Sequence, residues 1–463
     1  MERALSWLES HFPDLERDLA ELVAIESIST DGRHQAEIDR SAELVRALMH
    51  RAGLQGAEIL RPEGCNPYVF GEWLGAPGKP TVLIYAHHDV QPPGPEEKWT
   101  SPPWKLTRRD GRLYARGAVD DKGGVVAQLG AIAACLKGEG RLPVNVKVII
   151  EGEEEIGSRN LLGFFGEYRD RLMSDVIVVC DTENIRDGVP SITYSLRGLV
   201  SVVVEVRSAA SPKHSGFVGG AMADAAIALN QILGRLYWGT GPVPIPGFYE
   251  GVRPVTGDER AVFRSLSNEA ELREQLGVLP GVRLAIEPGS SFYEQTSRRP
   301  SVTVIAQEAS SLRSASNQVL SSASAILSCR LVPDQGPQAV LQRLTEFLTN
   351  DPPWGVEVTV TVRDQPTPWW MTDPRGPAFE AAKSALRAGY GQDVVPLGCG
   401  GSIGFVGPVA DLFGGAPALL LGITGDNLHA PDEYVHEADW HKLMKSLVHL
   451  FGELGNLPGG RVR

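Results

Sequence analysis

The chain has 463 residues, of which 42% are hydrophobic and 7% aromatic, so it is long enough for two or three domains that each bury a core. Its 57 acidic residues outnumber its 44 basic residues and give a formal charge of −13, which argues against a nucleic acid or an anionic membrane as the partner. The 5 cysteines lie far apart and form no CxxC pair, so the sequence indicates neither a disulfide framework nor a cysteine zinc knuckle and fits a cytoplasmic protein.

The first predicted element is an amphipathic helix in residues 1–28. Charged side chains alternate there with leucines at helical spacing, which is not the pattern of a signal peptide. No stretch of the sequence reaches the roughly 18 consecutive apolar residues that a membrane helix needs.

Short β-branched runs then alternate with helical patterns through residue 190. Strands are predicted at 80–86, 145–150 and 175–180, and helices at 118–136 and 160–171. This alternation predicts an α/β unit with a mostly parallel sheet, in which ligands bind at the carboxyl ends of the strands.

The pattern of predicted strands and helices changes after residue 193. The sequence predicts strands at 202–206, 301–305 and 323–331 and a long helix at 221–236, which together indicate a separate α+β domain. The α/β pattern resumes after about residue 367, with a helix, a glycine-rich turn at 398–404 and a last strand and helix. A domain inserted into a discontinuous first domain is the simplest architecture.

The predicted strand at 80–86 leads directly into His87, His88 and Asp89. Because side chains two residues apart in a strand share a face, His87 and Asp89 would point the same way and His88 the opposite way. A neighbouring carboxylate can fix the tautomer of a metal-binding histidine. The HxD pattern alone is more often structural, and we expect that role for His88.

Two further clusters place carboxylates beside hydrophobic runs. Asp120 and Asp121 precede an alanine-rich helix, where a carboxylate binds a metal or caps the helix by accepting bonds from its free amides. Glutamates crowd residues 151–155, and like charges so close would raise one another's pKa unless a bound cation or solvent stabilises them. Helix capping stays open for Asp121, and solvated surface charge stays open for the glutamates.

Two more ionisable residues complete the pattern. Asp181 ends the hydrophobic run at 178–180, and His429 lies in a polar loop before the terminal helix. Each cluster alone indicates little. Together they supply a histidine, an aspartate, a glutamate, an aspartate and a histidine in chain order.

In order, the sequence carries HxD, RGxxDxKG, EGxEExGS, a strand-end Asp-Thr, a His-Ser-Gly at 214–216, a Gly-Gly-Ser turn and a late histidine. This ordered set covers nearly the whole chain and resembles the M20 metallopeptidase family, which includes aminoacylase, carnosinase and succinyl-diaminopimelate desuccinylase. The resemblance implies an α/β fold with a discontinuous catalytic domain, 1–192 and 365–463, whose mostly parallel central sheet has helices on both faces. An inserted α+β lid and dimerisation domain would span 193–364.

The resemblance also implies two divalent metal ions per subunit. His87 and Asp181 would bind one ion, Glu155 and His429 would bind the other, and Asp120 would bind both. Carboxylates with two imidazoles suit zinc, and manganese or cobalt would also fit.

Further roles follow from the same resemblance. Glu154 would be the general base, which takes a proton from a water that bridges the metals and passes it to the leaving amine. Asp89 would orient His87. The peptide bond between Asp120 and Asp121 would be cis.

The inserted domain would hold the substrate and pair two subunits. His214 would enter the neighbouring subunit's site and polarise the scissile carbonyl, and Arg330 would grip the substrate's C-terminal carboxylate bidentately, which a lysine does not do. Asn317, Gly401 and Ser402 would contribute further substrate contacts. The alternative for His214 is a surface histidine with no role in the site, and the alternative for Arg330 is a surface ion pair.

The turn at 398–404 departs from the dipeptidase pattern, in which an Arg-Glu pair precedes Gly-Gly-Ser-Ile-Pro. Cys399 stands where a glutamate would bind the free amino group of a dipeptide, and a neutral thiol does not pair with an ammonium group. N-acyl amino acids and longer peptides therefore become alternative substrates. No local motif supplies the base that a nucleophilic Cys399 would need.

The sequence thus predicts a metallopeptidase, of the dipeptidase or carboxypeptidase type, that cleaves the amide bond of dipeptides or short peptides with a free C-terminal carboxylate. We expect a cytoplasmic homodimer that pairs through the lid domain. An N-acyl amino acid deacylase is the second possibility. A catalytically silent metal-binding protein is the third, and the presence of all the expected ligands together with Glu154 argues against it.

Overall fold

The structure, a computed structural model, describes residues 1–237, 241–266 and 268–457. Its helices are α1 (Glu2–Val23), α2 (Gln35–Ala52), α3 (Lys122–Ala134), α4 (Leu161–Glu167), α5 (Arg169–Leu172), α6 (Ser215–Val218), α7 (Ala225–Gly234), α8 (Gly257–Leu266), α9 (Glu269–Gln275), α10 (Phe292–Arg298), α11 (Pro337–Thr349), α12 (Pro377–Tyr390), α13 (Val406–Leu412) and α14 (Glu437–Asn456). None of these described helices is long and apolar enough to span a bilayer.

The strands follow the same chain order. They are β1 (Gln55–Leu60), β2 (Tyr68–Trp73), β3 (Thr81–His87), β4 (Thr107–Arg109), β5 (Arg112–Tyr114), β6 (Asn145–Glu151), β7 (Val176–Glu183), β8 (Ser191–Leu196), β9 (Gly198–Arg207), β10 (Lys213–His214), β11 (Ser301–Glu308), β12 (Gln318–Val319), β13 (Ser322–Leu331), β14 (Glu357–Val362), β15 (Trp370–Met371), β16 (Val395–Cys399), β17 (Ala418–Ile423), β18 (Gly425–Asp426) and β19 (Tyr434–His436).

The chain divides into two compact units. The first comprises Met1–Tyr194, Thr372–Leu397 and Phe405–Arg463, and the second comprises Ser195–Met371 and Gly398–Gly404. The sequence predicts a catalytic domain at 1–192 and 365–463 and a lid and dimerisation domain at 193–364, and these roles stay a prediction. Residues 458–463 of that division lie outside the described residues.

The first unit is built on a sheet with the strand order β1-β2-β6-β3-β7-β17-β8. Strands β6, β3, β7 and β17 are parallel to one another, and the strands on either side of them are antiparallel. Alternate side chains of β3 point to opposite faces, yet all of its residues after Thr81 are buried. A strand buried on both sides is typical of a sheet that helices cover on both faces.

Those helices form two layers. The core on one face joins residues of α1, α2, α3, α12 and α14 to alternate side chains of the central strands. On the other face, the ring of Tyr85 in β3 lies 4.1 Å from that of Phe405 beside α13, and Phe165 of α4 lies 5.9 Å from Phe413. The predicted α/β fold class with a mostly parallel central sheet is confirmed.

The second unit has an antiparallel sheet with the strand order β11-β13-β9-β14. The alternate residues Val200, Val202, Val204 and Val206 of β9 are buried against α7 and α11, which gives this α+β unit its own core. Helix α7 is shorter than the predicted helix at 221–236. The carboxylate of Asp224 accepts hydrogen bonds from the next free amides and starts the helix there.

Candidate metal centre

Three neighbouring parallel strands of the first unit end at one edge of its sheet. Strand β3 ends at His87, which is paired in register with Glu151, the last residue of β6. The chain then turns from β6 into Glu154 and Glu155, and β7 carries Asp181 near its end. The parallel topology therefore brings together residues that are distant in the sequence, at the edge where such sheets bind ligands.

Asp120 reaches the same edge from the segment before α3, a helix whose residues are all buried. A glycine at 124 allows close packing, because a Cβ there would collide with the carboxylate of Asp121. That carboxylate makes no helix-capping bond and instead accepts from the amide of His87 at 3.3 Å. The capping role considered for Asp121 is therefore wrong, whereas the predicted cis peptide bond between Asp120 and Asp121 is present.

The carboxylate of Asp120 faces a different histidine through each of its oxygens. Its Oδ1 lies 3.1 Å from Nε2 of His87, and its Oδ2 lies 2.9 Å from Nε2 of His429. On the first side, Oδ2 of Asp181 is 4.0 Å from the same His87 nitrogen. On the second side, Oε2 of Glu155 is 3.3 Å from the His429 nitrogen. Asp120 is thus the shared member of two three-residue groups.

The donor chemistry of the two groups fits two divalent cations. Within each group the candidate ligand atoms all lie within 4.8 Å of one another, and each group offers one imidazole nitrogen and two carboxylates. Such mixed nitrogen and oxygen donors suit zinc, manganese or cobalt. The groups have the same members as the two ligand sets that the resemblance implies, and metal binding by them stays a prediction.

Ionisable groups are concentrated at this edge of the sheet and shift one another's pKa. Hydrogen bonds with Asp120 and Glu155 raise the pKa of His429 to about 10. Burial opposes ionisation of Asp120, yet hydrogen bonds from His429 and His87 hold its pKa below the ordinary value. Burial, together with the nearby carboxylate of Asp121, raises the pKa of Asp181 well above its usual range. Buried carboxylates this close repel one another, and a bound cation would relieve the repulsion.

Asp89 supports both His87 and the turn that carries Glu154. Its Oδ1 and Oδ2 accept hydrogen bonds from the amides of Glu154 and Glu155, both at 3.1 Å. The Oδ1 also lies 3.5 Å from Nδ1 of His87, and the hydroxyl of Ser29 donates to Oδ2 at 2.7 Å. The sequence predicts only that Asp89 orients His87, and its contacts with this turn are evident only from the structure.

His88 points away from this cluster, as the strand alternation predicts. It is completely buried, and its Nε2 lies 3.2 Å from the carbonyl oxygen of Pro67. Burial lowers the pKa of His88 to about 4, so the ring is neutral near pH 7. These contacts agree with a structural role.

The second unit places His214 and Asn317 side by side. His214 ends β10 and is exposed, and its Nδ1 accepts a hydrogen bond from the amide of Gly216 at 3.0 Å. Asn317 precedes β12, the partner strand of β10, and its carbonyl accepts from the amide of Ser215 at 2.9 Å. Both residues are exposed.

Arg330 of β13 and the glycine-rich turn also meet in the second unit. Nη1 of Arg330 donates to the hydroxyl of Ser402 at 2.7 Å. Arg197 holds the turn, because its Nε donates to the carbonyl of Gly400 and its amide to the carbonyl of Gly401, both at 3.0 Å. Arg197 is not predicted from the sequence, since nothing in its local pattern distinguishes it from a surface arginine.

The buried ion pair of Arg116 and Glu433 is likewise not predicted from the sequence. Both residues lie within motifs that were singled out for other members, namely Asp120 and His429. Each is a charged residue within one of those motifs, but its sequence neighbours do not indicate that the two pair.

Residues 83–453 match a protein family described as Peptidase family M20/M25/M40. The cysteinylglycine-S-conjugate dipeptidase of Corynebacterium striatum is 31% identical over 431 aligned positions, which cover 91% of this chain and 92% of that protein. The beta-Ala-His dipeptidase of Rattus norvegicus is 28% identical over 486 aligned positions, which cover 100% of this chain and 97% of that protein.

The crystal structure of human carnosine dipeptidase 1 is similar over 98% of this chain and 99% of that one, with a TM-score of 0.86 and 27% identity. These findings confirm the predicted enzyme class, a metallopeptidase whose relatives are dipeptidases. As the ordered motifs predicted, the chain belongs to peptidase family M20/M25/M40.

Proposed function

We propose that the protein is a dinuclear metallo-dipeptidase, which hydrolyses the amide bond of dipeptides or short peptides that carry a free C-terminal carboxylate. The observation that carries the proposal is the position of the Asp120 carboxylate, whose two oxygens lie 3.1 and 2.9 Å from the Nε2 atoms of His87 and His429. The dipeptidases among its relatives support the substrate class.

Five side chains would hold the cations. His87 and Asp181 would bind one ion, Glu155 and His429 would bind the other, and Asp120 would bind both. Two divalent cations held there would lower the pKa of a nearby water and would stabilise the negative charge that develops on the scissile carbonyl oxygen. We propose zinc as the metal, with manganese and cobalt as alternatives.

Glu154 would move the proton. Its backbone is fixed by the hydrogen bond from its amide to Asp89 at 3.1 Å. Burial raises the pKa of Glu154 well above its usual range, and two bound cations would lower that pKa again, so that the carboxylate is ionised and accepts a proton. We propose that it accepts a proton from the attacking water and returns that proton to the leaving amine.

A deacylase is the second candidate, and the contact of Cys399 favours it. The Sγ atom of Cys399 lies 3.3 Å from the amide nitrogen of Gly401 in the glycine-rich turn, and a thiol there supplies no charge for a substrate ammonium group. Free dipeptides tested beside N-acetyl and N-succinyl amino acids distinguish the two functions. We expect free dipeptides to be cleaved. Cleavage of acylated substrates alone would favour the deacylase, and cleavage of neither by the metal-loaded protein would favour a silent metal-binding protein.

Arg330 is the proposed contact for the substrate carboxylate, and the hydroxyl of Ser402 orients it at 2.7 Å. We expect R330K to lower kcat/KM for a free dipeptide by about 10- to 100-fold, because a lysine loses one of two charge-assisted hydrogen bonds. The same dipeptide with an amidated C-terminus is the control substrate. The wild type and R330K should hydrolyse it with similarly low kcat/KM values. An equal loss on both substrates would contradict carboxylate recognition. The exposed Arg363 allows the matched control variant R363K.

We propose that the first unit is the catalytic domain and that the second is the lid and dimerisation domain of a homodimer. Strand β11 lies at the edge of its sheet, and its residues 303–308 are all exposed. Val304 and Ile305 are 42% and 51% exposed. An apolar edge strand is a template for pairing, and the same edge of a second copy would supply the partner strand across a two-fold axis.

A mixing experiment tests the proposal that His214 serves the neighbouring subunit's site. We expect H214A and E154Q to be nearly inactive alone and their mixture to regain activity after subunit exchange. The H214A subunit keeps its own Glu154 and would receive an intact His214 from its partner. Activity that stays absent although mixed dimers form would place His214 in the site of its own subunit. Differently tagged H214A and E154Q subunits show, by co-purification, how many mixed dimers have formed.

A further inference from the structure

Glu433 is completely buried, and its carboxylate contacts the chain segment that ends at Asp120. Its Oε1 accepts hydrogen bonds from the amides of Val119 at 3.1 Å and Asp120 at 3.2 Å. Its Oε2 accepts from the amide of Gly117 at 3.1 Å and from the guanidinium of Arg116. Three main-chain amides and one cation thus converge on one carboxylate, and one of the amides belongs to Asp120 itself.

The same contacts secure the loop that carries His429. Nη2 of Arg116 donates to the carbonyl of Ala430 at 3.3 Å, and the amide of Ala115 donates to the carbonyl of Glu433 at 3.2 Å. His429 has a φ of 60°, in the left-handed region that residues other than glycine seldom adopt. A backbone in that region persists only where its surroundings hold it. The contacts of Arg116 and Glu433 supply such support to the part of the loop that follows His429.

We propose that Glu433 is a positioning residue of the metal centre. It fixes the backbone of Asp120 relative to the loop of His429, so that the Asp120 carboxylate stands between its two histidines. The inference rests on the proposed metal centre. A purely stabilising ion pair is a poorer account, since buried ion pairs contribute little net stability, and the three main-chain amides that Glu433 binds all belong to the segment that ends at Asp120. Residues that hold metal ligands in place commonly determine metal affinity.

The test compares E433Q with D432N in the full-length protein. Asp432 is the adjacent residue of the same loop, but its carboxylate accepts hydrogen bonds from Thr100 and Arg109 and not from the Asp120 segment. Both variants and the wild type are stripped with chelator and titrated with Co²⁺, and binding is followed by visible absorption. We expect E433Q to bind Co²⁺ about 10- to 100-fold more weakly than the wild type. We expect D432N to stay within about threefold.

A second readout separates positioning from a general loss of structure. Excess Co²⁺ should restore the kcat of folded E433Q, with KM for a free dipeptide unchanged, because the substrate contacts are not altered. If E433Q does not fold, E433D is tested instead. It keeps the negative charge on a shorter side chain and should also bind Co²⁺ more weakly than the wild type. Wild-type affinity in a folded E433Q or E433D would overturn the proposal. A wild type that binds no Co²⁺ would instead overturn the metal centre, and this inference with it.

Discussion

Replacement of Glu154 by glutamine is expected to lower kcat/KM for dipeptide hydrolysis by about 10²- to 10⁴-fold, the contribution of a positioned general acid–base group. Glutamine is nearly the same size as glutamate, and the backbone amide of residue 154 still donates to Asp89 at 3.1 Å, so the turn should be preserved. It does not accept a proton from water and return it to an amine. Metal content should therefore be unchanged while the rate falls.

Steady-state kinetics and metal analysis of the same E154Q sample check this expectation. The matched control is E167Q, which removes an exposed carboxylate at the end of α4. That variant should keep the kcat/KM of the wild type. If E154Q keeps most of its activity with both metals bound, another group transfers the proton, and if it loses metal instead, Glu154 is a ligand.

Loss of the shared ligand should remove more metal than loss of any other ligand. D120A is expected to lose both cations, because each oxygen of Asp120 faces one of the two groups. D181N and E155Q should each lose the cation of their own group and retain the other. The activity of all three variants should fall, since both cations take part in the proposed reaction.

Metal content per subunit, measured after dialysis against metal-free buffer, distinguishes these variants. The expected order is two for the wild type, one for D181N or E155Q, and none for D120A. D120A that retains both cations would show that Asp120 is not shared between them. Thermal unfolding of the chelator-treated proteins controls for a loss of fold. If a replaced side chain acts only by binding metal, the metal-free variant should unfold at nearly the same temperature as the metal-free wild type.

The central sheet and the candidate ligands could be predicted because their signals are local. A buried parallel strand appears as a continuous apolar run, and His87 and Asp181 follow such runs immediately. The topology rule then places these strand ends at one edge of the sheet. The grouping of Asp120 with either histidine followed only from the family resemblance, because no spacing in the sequence relates residues 120 and 429.

Other features depend on contacts between distant segments, which local patterns do not contain. Glu433 accepts from amides more than 300 residues earlier in the chain, so its sequence neighbours give no indication of its partners. Asp121 stands at a helix start that favours capping, yet the adjacent strand offers the amide of His87, and that contact is formed instead. The position of Asp224, by contrast, explains the start of α7 from a local rule that the sequence analysis did not apply.

The most direct test of the account is a metal titration of the chelator-stripped protein, with free-dipeptide hydrolysis and bound metal measured on the same samples. We expect the stripped protein to be inactive and its activity to return with zinc, manganese or cobalt and to saturate at two equivalents per subunit. Full activity after exhaustive chelation, or saturation at one equivalent, would contradict a dinuclear centre built around Asp120.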